Sequence, residues 1–408
     1  MARVLVISFS DLARDPRVDR QLGFLLPHHR IIAAGLAPPR HPVDEFIDLT
    51  TPGRSLGGRA FGLSLLLLRR HDASFWKHPE KIAALERLQH VHPDVVVAND
   101  IATLPIALRL GAPVVFDAHE HAPSQLADRW QWRALYAARI RWLCSNYIPQ
   151  ASVMLTQGTM VADLYERETG VRARVVTNAP HYEELAPTPV HDPVRIIHHG
   201  GAQPGRGLEE MIRAASLLDE RFTTDFMLVD GWPPGYREKL IRLAEGNPRI
   251  GFPDPRPMHL LVKATNDYDI GIFVLPPVNL HRRYALPNKL FEFIQARLAV
   301  AIGPSPEMAR IVRTYGCGIV TEDFEPETLA AALNALDPAA IAKFKRASHA
   351  AARDLCAEKN EAIIVGAVDD ALGGRRQRGD RGASTEILSQ TSAEGAHPSG
   401  GVDGSPPR

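Results

Sequence analysis

Lys289 and Glu292 stand three residues apart in RYALPNKLFEF (283–293). On a helix that spacing puts an ammonium and a carboxylate on one face. Pro287 reads as the first-turn proline of that helix, where its missing N–H costs nothing. The free amides at the helix start, with Asn288 among them, then combine with the helix dipole and Lys289 into an anion site. Glu292, one turn on, can accept hydrogen bonds from the two hydroxyls of a ribose. Diphosphate at the helix end and ribose at the glutamate describe a nucleotide. The same spacing also fits an ordinary exposed Lys–Glu pair, so the rest of the chain has to decide.

A second stretch adds to the anion chemistry. RIIHHGGAQPGRGLEEMIRAASLL (195–218) reads as a strand, a glycine-rich turn and an amphipathic helix. Gly200, Gly201, Gly205 and Gly207 permit close approach of backbone to a ligand, and Arg206 can reach a phosphate. The spacing departs from both the dinucleotide fingerprint and the P-loop. Three further polar clusters end strands in the first half of the chain. FSDLARDPR supplies Asp15 and Arg17, ANDIATLP supplies Asp100, and FDAHEHAP supplies His119 and Glu120. Polar groups gathered at successive strand ends are what a cleft-facing site requires. No metal site is expected. DAHEHAP lacks the helical His spacing of a metalloprotease, and His198 and His199 point to opposite faces of a strand.

The elements that must position these residues alternate regularly. RVLVIS (3–8), RIIAAG (30–35), DVVVAND (94–100), PVVFDAHE (113–120), SVMLTQ (152–157) and RVVTN (174–178) read as strands. Their near-continuous Val/Ile runs suit a parallel sheet buried on both faces. After a Pro-rich break the alternation restarts with VRIIHHGG (194–201), FMLVDG (226–231), RIGF (249–252), YDIGIFVL (268–275), LAVAIG (298–303) and CGIVTE (317–322). The fold class is therefore α/β, with two facing Rossmann-like, doubly wound parallel-sheet domains and a cleft between them. The boundaries read as 1–180 for the first domain, 181–193 for a linker and 194–345 for the second domain. A C-terminal helix over 346–372 follows, and then a Gly/Ser/Pro-rich tail over 373–408 that is expected to be disordered.

Bulk properties narrow the function. Across 408 residues, Lys+Arg and Asp+Glu both number 47, so no overall basic field recruits nucleic acid. Cys144, Cys317 and Cys356 show neither metal spacing nor a disulfide framework, which fits a reducing cytoplasm. LSLLLL (63–68) is too short to span a bilayer, and the N-terminus lacks the apolar core of a signal peptide. One segment, RWQWRALYAARIRWLCSNYI (129–148), mixes aromatic residues with arginine. It fits a helix lying at the inner face of an anionic membrane, and equally a core-packed helix flanked by long arginines.

At these residues the chain resembles the nucleotide-sugar glycosyltransferases of GT-B architecture, in particular retaining family 4. The resemblance covers roughly residues 1–345. It is carried by DPRV, the strand-end Asp100, DAHE, GxxxxGRGLE, ALPNKLFEF and then PEMARIV with YGCGIV. It implies a glycosyltransferase without cofactor or metal, acting by front-face departure and attack with retention. The nucleotide-sugar donor would lie on Gly200, Gly201, Arg206, Asn288, Lys289 and Glu292. His119 would stand beside the transferred sugar, with Arg206 and Lys289 as the other catalytic groups. Asp15, Arg17, Asp100 and Glu120 would line the side of a glycan, lipid-linked or small-molecule acceptor. Two positions depart from the pattern. Tyr284 stands where many members have a glutamate, and Gly201 stands where many have an arginine, for which Arg282 or Arg283 is a candidate substitute. A nucleotide-sugar epimerase and a catalytically degenerate scaffold on the same fold are the alternative readings.

Overall fold

The computed structural model describes the backbone of residues 1–51 and 56–390, and side chains over 1–51 and 57–374. Two all-parallel sheets account for the alternation read from the sequence. The first comprises β1 (Arg3–Ile7), β2 (Arg30–Gly35), β3 (Glu45–Asp48), β4 (Val95–Asn99), β5 (Val114–Ala118), β6 (Val153–Thr156) and β7 (Arg174–Val175), in the order β3-β2-β1-β4-β5-β6-β7. The second comprises β8 (Val194–Gly201), β9 (Phe222–Val229), β10 (Ile250–Gly251), β11 (Ile270–Phe273), β12 (Ala299–Ile302) and β13 (Gly318–Val320), in the order β10-β9-β8-β11-β12-β13. Both are doubly wound, with strand order reversing beside β1 and beside β8. At such switch points the loops after the strands part and leave a crevice.

The central strands are buried on both faces because helices cover each side. Leu5, Ile7, Val96 and Phe116 pack to one side of the first sheet, and Val4, Val6, Val95 and Val115 to the other. The short edge strand EFID escaped the sequence reading. Its residues are half-buried or exposed, so it lacks the apolar run that marks a central strand.

The end of the chain differs from expectation. Pro338–Ala351 is a helix of the second domain, where Ile341 is buried, and a separate helix begins at Ala357. That last helix crosses back to the first domain. Ile364, Ala367, Val368 and Ala371 join Val4, Val18 and Leu22 in one core cluster. It then continues to Gln390, through the first part of the tail expected to be disordered from 373. Extending a helix already nucleated by packing is cheap, and it carries the helix through Gly373, Gly374, Gly379 and Gly382 despite their low propensity. Residues 391–408, the remainder of that tail, lie outside the described residues.

The domains meet at several polar points besides this helix. Glu307, fully buried, accepts from the Met160 backbone at the start of the Thr159–Thr169 helix, and Arg310 holds its other oxygen at 3.0 Å. Asn279 bonds Asp128 at 3.1 Å, and His281 stands 3.6 Å from Glu120. No helix among the described residues is long and apolar enough to cross a membrane.

Candidate active site

A cavity of about 990 Å³ lies between the domains. Its second-domain wall begins with the Asn288–Gln295 helix, which follows the loop after β11. Pro287 is not inside this helix as the sequence suggested. It is extended (φ −75°, ψ 153°) and serves as the residue before the first turn. Leu290, Phe291, Phe293 and Ile294 anchor the helix in the second-domain core, which fixes Asn288, Lys289 and Glu292 on the cavity side.

Lys289 and Glu292 are both buried. Burial pulls the Lys289 ammonium down to about 8, with Glu292 opposing the shift and Arg206 adding to it. Burial likewise raises the Glu292 carboxyl above its usual range, against Lys289 and Arg20. His199 completes this floor. Its Nε2 lies 3.6 Å from Glu292 Oε2, too far for a hydrogen bond, and has no other partner. Burial, helped by Lys289 and His198, keeps His199 neutral, so the pair is not an ion pair. His198 turns the other way, bonding the Ile272 carbonyl at 3.0 Å and stacking on Phe273. The expected opposition of the two histidines therefore holds.

The glycine-rich turn is shaped around these groups. At Gly200 φ is +131°, and a Cβ there would come within 2.6 Å of Lys289 Nζ. Gly207 has φ +70°, and a Cβ would strike the Val274 carbonyl at 2.1 Å, so the helix from Leu208 can dock only with glycine there. Gly201 is different: a Cβ would meet nothing closer than 3.9 Å, leaving room for a side chain. Arg206 is exposed on the same turn and lines the cavity. Arg282 reaches over from the short Leu280–Arg283 helix and donates to the Gly205 carbonyl. Arg282 thus brings a second guanidinium to the cavity wall beside Arg206, whereas Arg283 sits over the Tyr284 ring, 5.8 Å away. Tyr284 itself packs against the first-domain core rather than lining the cavity.

The residues expected on the acceptor side behave otherwise. Asp15 caps the Pro16–Leu25 helix through Arg17 N (3.1 Å) and Val18 N (3.3 Å), and its other oxygen accepts from Ser10 Oγ. Arg17 is turned into the domain. Its Nε and Nη2 grip Asp117 at 2.8 and 2.6 Å, and Nη1 donates to the Val176 carbonyl and Asn178 Oδ1. These two residues were expected to face the acceptor, but their polar atoms are already engaged, because a buried arginine and a strand-end aspartate cannot be left unpaired. Burial would raise the Asp117 carboxyl, yet Arg17 and Gln21 hold it below its usual range. Arg17 does connect to the cavity indirectly. Asn178, which it positions, donates to Gln157 at 3.2 Å, and both line the wall.

His119 and Asp100 pair with each other rather than with the cavity wall. His119 Nε2 meets Asn99 Oδ1 at 2.8 Å, the His119 backbone N–H donates to Asp100 Oδ1 at 3.3 Å, and Nδ1 lies 3.7 Å from Asp100 Oδ2. Glu120, next in the chain, does line the cavity. Sequence reasoning missed Trp232, 77% exposed, which joins Val229 and Met258 at the far end of the second-domain wall. Its only signal was DGWPPG, a turn after a strand end.

Comparison of this architecture with solved structures identifies it. Anabaena Alr3699/HepE, solved in complex with UDP-glucose, superposes with a TM-score of 0.67 over 90% of this chain and 100% of its own, at 14% identity. This is the GT-B fold. The alpha,alpha-trehalose 6-phosphate synthase of Burkholderia multivorans gives a TM-score of 0.65 over 92% of this chain and all of its own length, at 12% identity. The E. coli trehalose-6-phosphate structure bound with UDP-2-fluoro glucose gives 0.65, with 91% and 99% covered and 12% identity. No family model matches the sequence, and no curated protein matches it. The likeness therefore resides in three-dimensional arrangement, at identities where fold outlasts sequence.

Proposed function

We propose that the protein is a glycosyltransferase, moving a sugar from a nucleotide diphosphate sugar to a glycan, lipid-linked or small-molecule acceptor with retention and without metal. The observation that carries this reading is the floor of the interdomain cavity. His199 Nε2 is buried there with no hydrogen-bond partner, and beside it the mostly buried Lys289 and Glu292 side chains face the cavity without a hydrogen bond among the described residues, an arrangement that a bound ligand completes. The GT-B chains solved with UDP-glucose and UDP-2-fluoro glucose support the same class of donor.

In this reading Glu292 accepts from the ribose hydroxyls, and Lys289, Arg206 and Arg282 meet the diphosphate. As the bond from the anomeric carbon to the phosphate oxygen breaks, its electron pair leaves with that oxygen. Fixed cations aimed at the growing charge stabilise the transition state more than the ground state. The acceptor hydroxyl bonds the anomeric carbon from the same face, and its proton passes to the departing phosphate oxygen. His119, held by Asn99 and next in the chain to the cavity-lining Glu120, is the first-domain group that this reading places nearest the transferred sugar. The Asn279–Asp128 and His281–Glu120 contacts close the cleft and limit loss of donor to water.

The reading extends to a membrane-borne acceptor. The segment 129–148 divides into helices Trp130–Leu135 and Ala137–Tyr147. The second packs Leu143 and Cys144 into the core, while Trp130 remains 66% exposed. The Leu56–Leu67 helix touches the first of these, and Leu68 just beyond it is 70% exposed. Residues 56–70 and 129–148 contain arginines and no acidic residue, a combination suited to an anionic bilayer surface.

Calorimetric binding of UDP, GDP, ADP and TDP to the wild type and to Glu292→Ala tests the donor site. One nucleotide should bind selectively and lose at least tenfold in the variant. A folded protein that binds none of the four would sink the assignment and leave the scaffold reading. Turnover of the matching sugar nucleotide only when acceptor is present, unchanged by a chelator, separates transfer from epimerisation and from metal dependence.

A further inference from the structure

The loop that leaves β5 forms part of the first-domain wall of the large cavity. His119 opens it, and Glu120, Gln125 and Leu126 line the cavity. Its one regular piece is a 3-10 turn, Ala122–Ser124, so its course depends on side chains from elsewhere. The Thr159–Thr169 helix supplies them. Tyr165, fully buried, donates its hydroxyl to the Glu120 carbonyl at 2.8 Å and accepts from the Ala122 amide at 3.0 Å. One phenol oxygen thus ties the backbone on both sides of His121. Burial holds that phenol well above its usual pKa, so its proton stays in place. Three residues on, on the same helix face, Glu168 Oε2 meets His121 Nε2 at 3.1 Å, while His121 Nδ1 meets Ser124 Oγ at 2.9 Å.

The other end of this helix is completed by the second domain. Gly158, at the N-cap, has no side chain to accept from the first amides. Glu307 does so instead, from the Pro306–Tyr315 helix. It is fully buried and accepts from the Met160 amide, where the helix dipole also favours a carboxylate. Arg310 donates to its other oxygen at 3.0 Å and to Thr159 Oγ1 at 3.4 Å. A Cβ at Gly158 would come within 3.3 Å of Glu307 Oε1, so glycine keeps this approach open. From Met160 to Glu168 the helix runs about 12 Å, at 1.5 Å per residue. Val161, Ala162 and Tyr165 embed it in the first-domain core, which makes it a stiff connection between the domain interface and the loop.

Resting on the glycosyl-transfer reading, we propose that Tyr165 is a positioning residue, through which the second domain, seated by Glu307 on the first turn of the Thr159–Thr169 helix, sets the loop that carries His119 and Glu120. The loop takes its working course when the two domains stand in this arrangement and loosens when Glu307 is withdrawn. The first-domain side of the site is then complete only beneath a docked second domain, which limits loss of the sugar to water.

Amide hydrogen exchange of the full chain, read by mass spectrometry, tests the connection. Glu307→Ala should speed exchange about tenfold in residues 159–162 and also in 119–125, although its own hydrogen bonds go to Met160 and Arg310. Glu307→Gln keeps an acceptor for Met160 but gives up the charge. It should speed both segments about threefold, and it carries the test if the alanine variant does not fold. Tyr165→Phe should speed 119–125 alone. Faster exchange in 159–162 with 119–125 at the wild-type rate overturns the connection, and an unchanged 119–125 in Tyr165→Phe overturns the part given to Tyr165. For the site, UDP-, GDP-, ADP- and TDP-glucose are the probes. The one that binds should shift the His119 ring signals in NMR of the wild type, and should shift them roughly half as far or less in Tyr165→Phe, at an affinity within about twofold of the wild type. Equal shifts in the two proteins, a wild-type His119 that does not respond, or a large loss of affinity in Tyr165→Phe would overturn positioning at the reacting centre. If none of the four binds, the transfer reading falls, while the exchange measurements still decide whether Glu307 sets the loop.

Discussion

The ends of the two parallel sheets face one cleft, yet they treat their polar residues in opposite ways. In the first domain Asp15, Arg17, Asp117, Asn99 and His119 are bound to one another or to backbone. In the second, Lys289, Glu292 and His199 are buried and are left without hydrogen bonds to one another. The first-domain groups are held mainly by one another, with Asn99 Nδ2 and Gln21 Oε1 left over, whereas Lys289 and Glu292 face the cavity without a hydrogen bond among the described residues.

This contrast makes opposite forecasts for stability and binding. The largest effect should come from Arg17→Ala, which strands the buried Asp117 carboxylate and should cost about 3–5 kcal/mol of stability in denaturant titration. Protein that remains folded should bind nucleotide nearly as the wild type does. A large loss of binding with unchanged stability would place Arg17 in the site after all.

Lys289→Met should do the reverse. A lysine drawn from 10.5 to about 8 by burial destabilises the folded state in its charged form by roughly 3 kcal/mol. The folded pKa is below the unfolded one, so this penalty is complete below about pH 8 and fades as pH rises towards 10.5. Lys289→Met should therefore raise the thermal midpoint at pH 7 while weakening nucleotide binding by about 30- to 100-fold, the worth of a charge-assisted bond. By the same sign, wild-type nucleotide affinity should decline as pH passes above 8. A variant that melts lower than the wild type would show that Lys289 is already paired in the free protein.

The open space at Gly201 permits a finer test. Arg282→Ala should lose about tenfold in nucleotide affinity, and adding Gly201→Arg should restore most of it, since the added side chain meets no close neighbour. Failure of the double variant to recover would mean that Arg282 acts by holding the Gly205 carbonyl rather than by meeting phosphate. The smallest effect belongs to Asp15→Ala, a lost helix cap worth about 1 kcal/mol, measurable by denaturant midpoint with binding unchanged.

Much of this molecule was legible in its residues. Central strands announced themselves because burial on both faces demands unbroken Val/Ile runs, and EFID did not because an edge strand is freed from that demand. The grouping of the second-domain wall was legible because its residues are local. Lys289 and Glu292 sit one turn apart on a single helix, and the glycines that make room for them lie on a single loop. The first-domain strand ends were misread because their pairings are remote. Nothing in FSDLARDPR says that Arg17 will reach Asp117, one hundred residues away, or Asn178 beyond it. Tyr284 was hidden for the same reason: it packs across to the other domain.

By itself, then, the sequence determined the two doubly wound domains and the residue types able to hold a nucleotide diphosphate, since periodicity and local spacing are properties of neighbouring residues. Tertiary structure alone decided which charges were spent and which were left open. A buried polar atom is satisfied or orphaned by whatever long-range packing brings within hydrogen-bonding distance, and that distance is not written in sequence spacing.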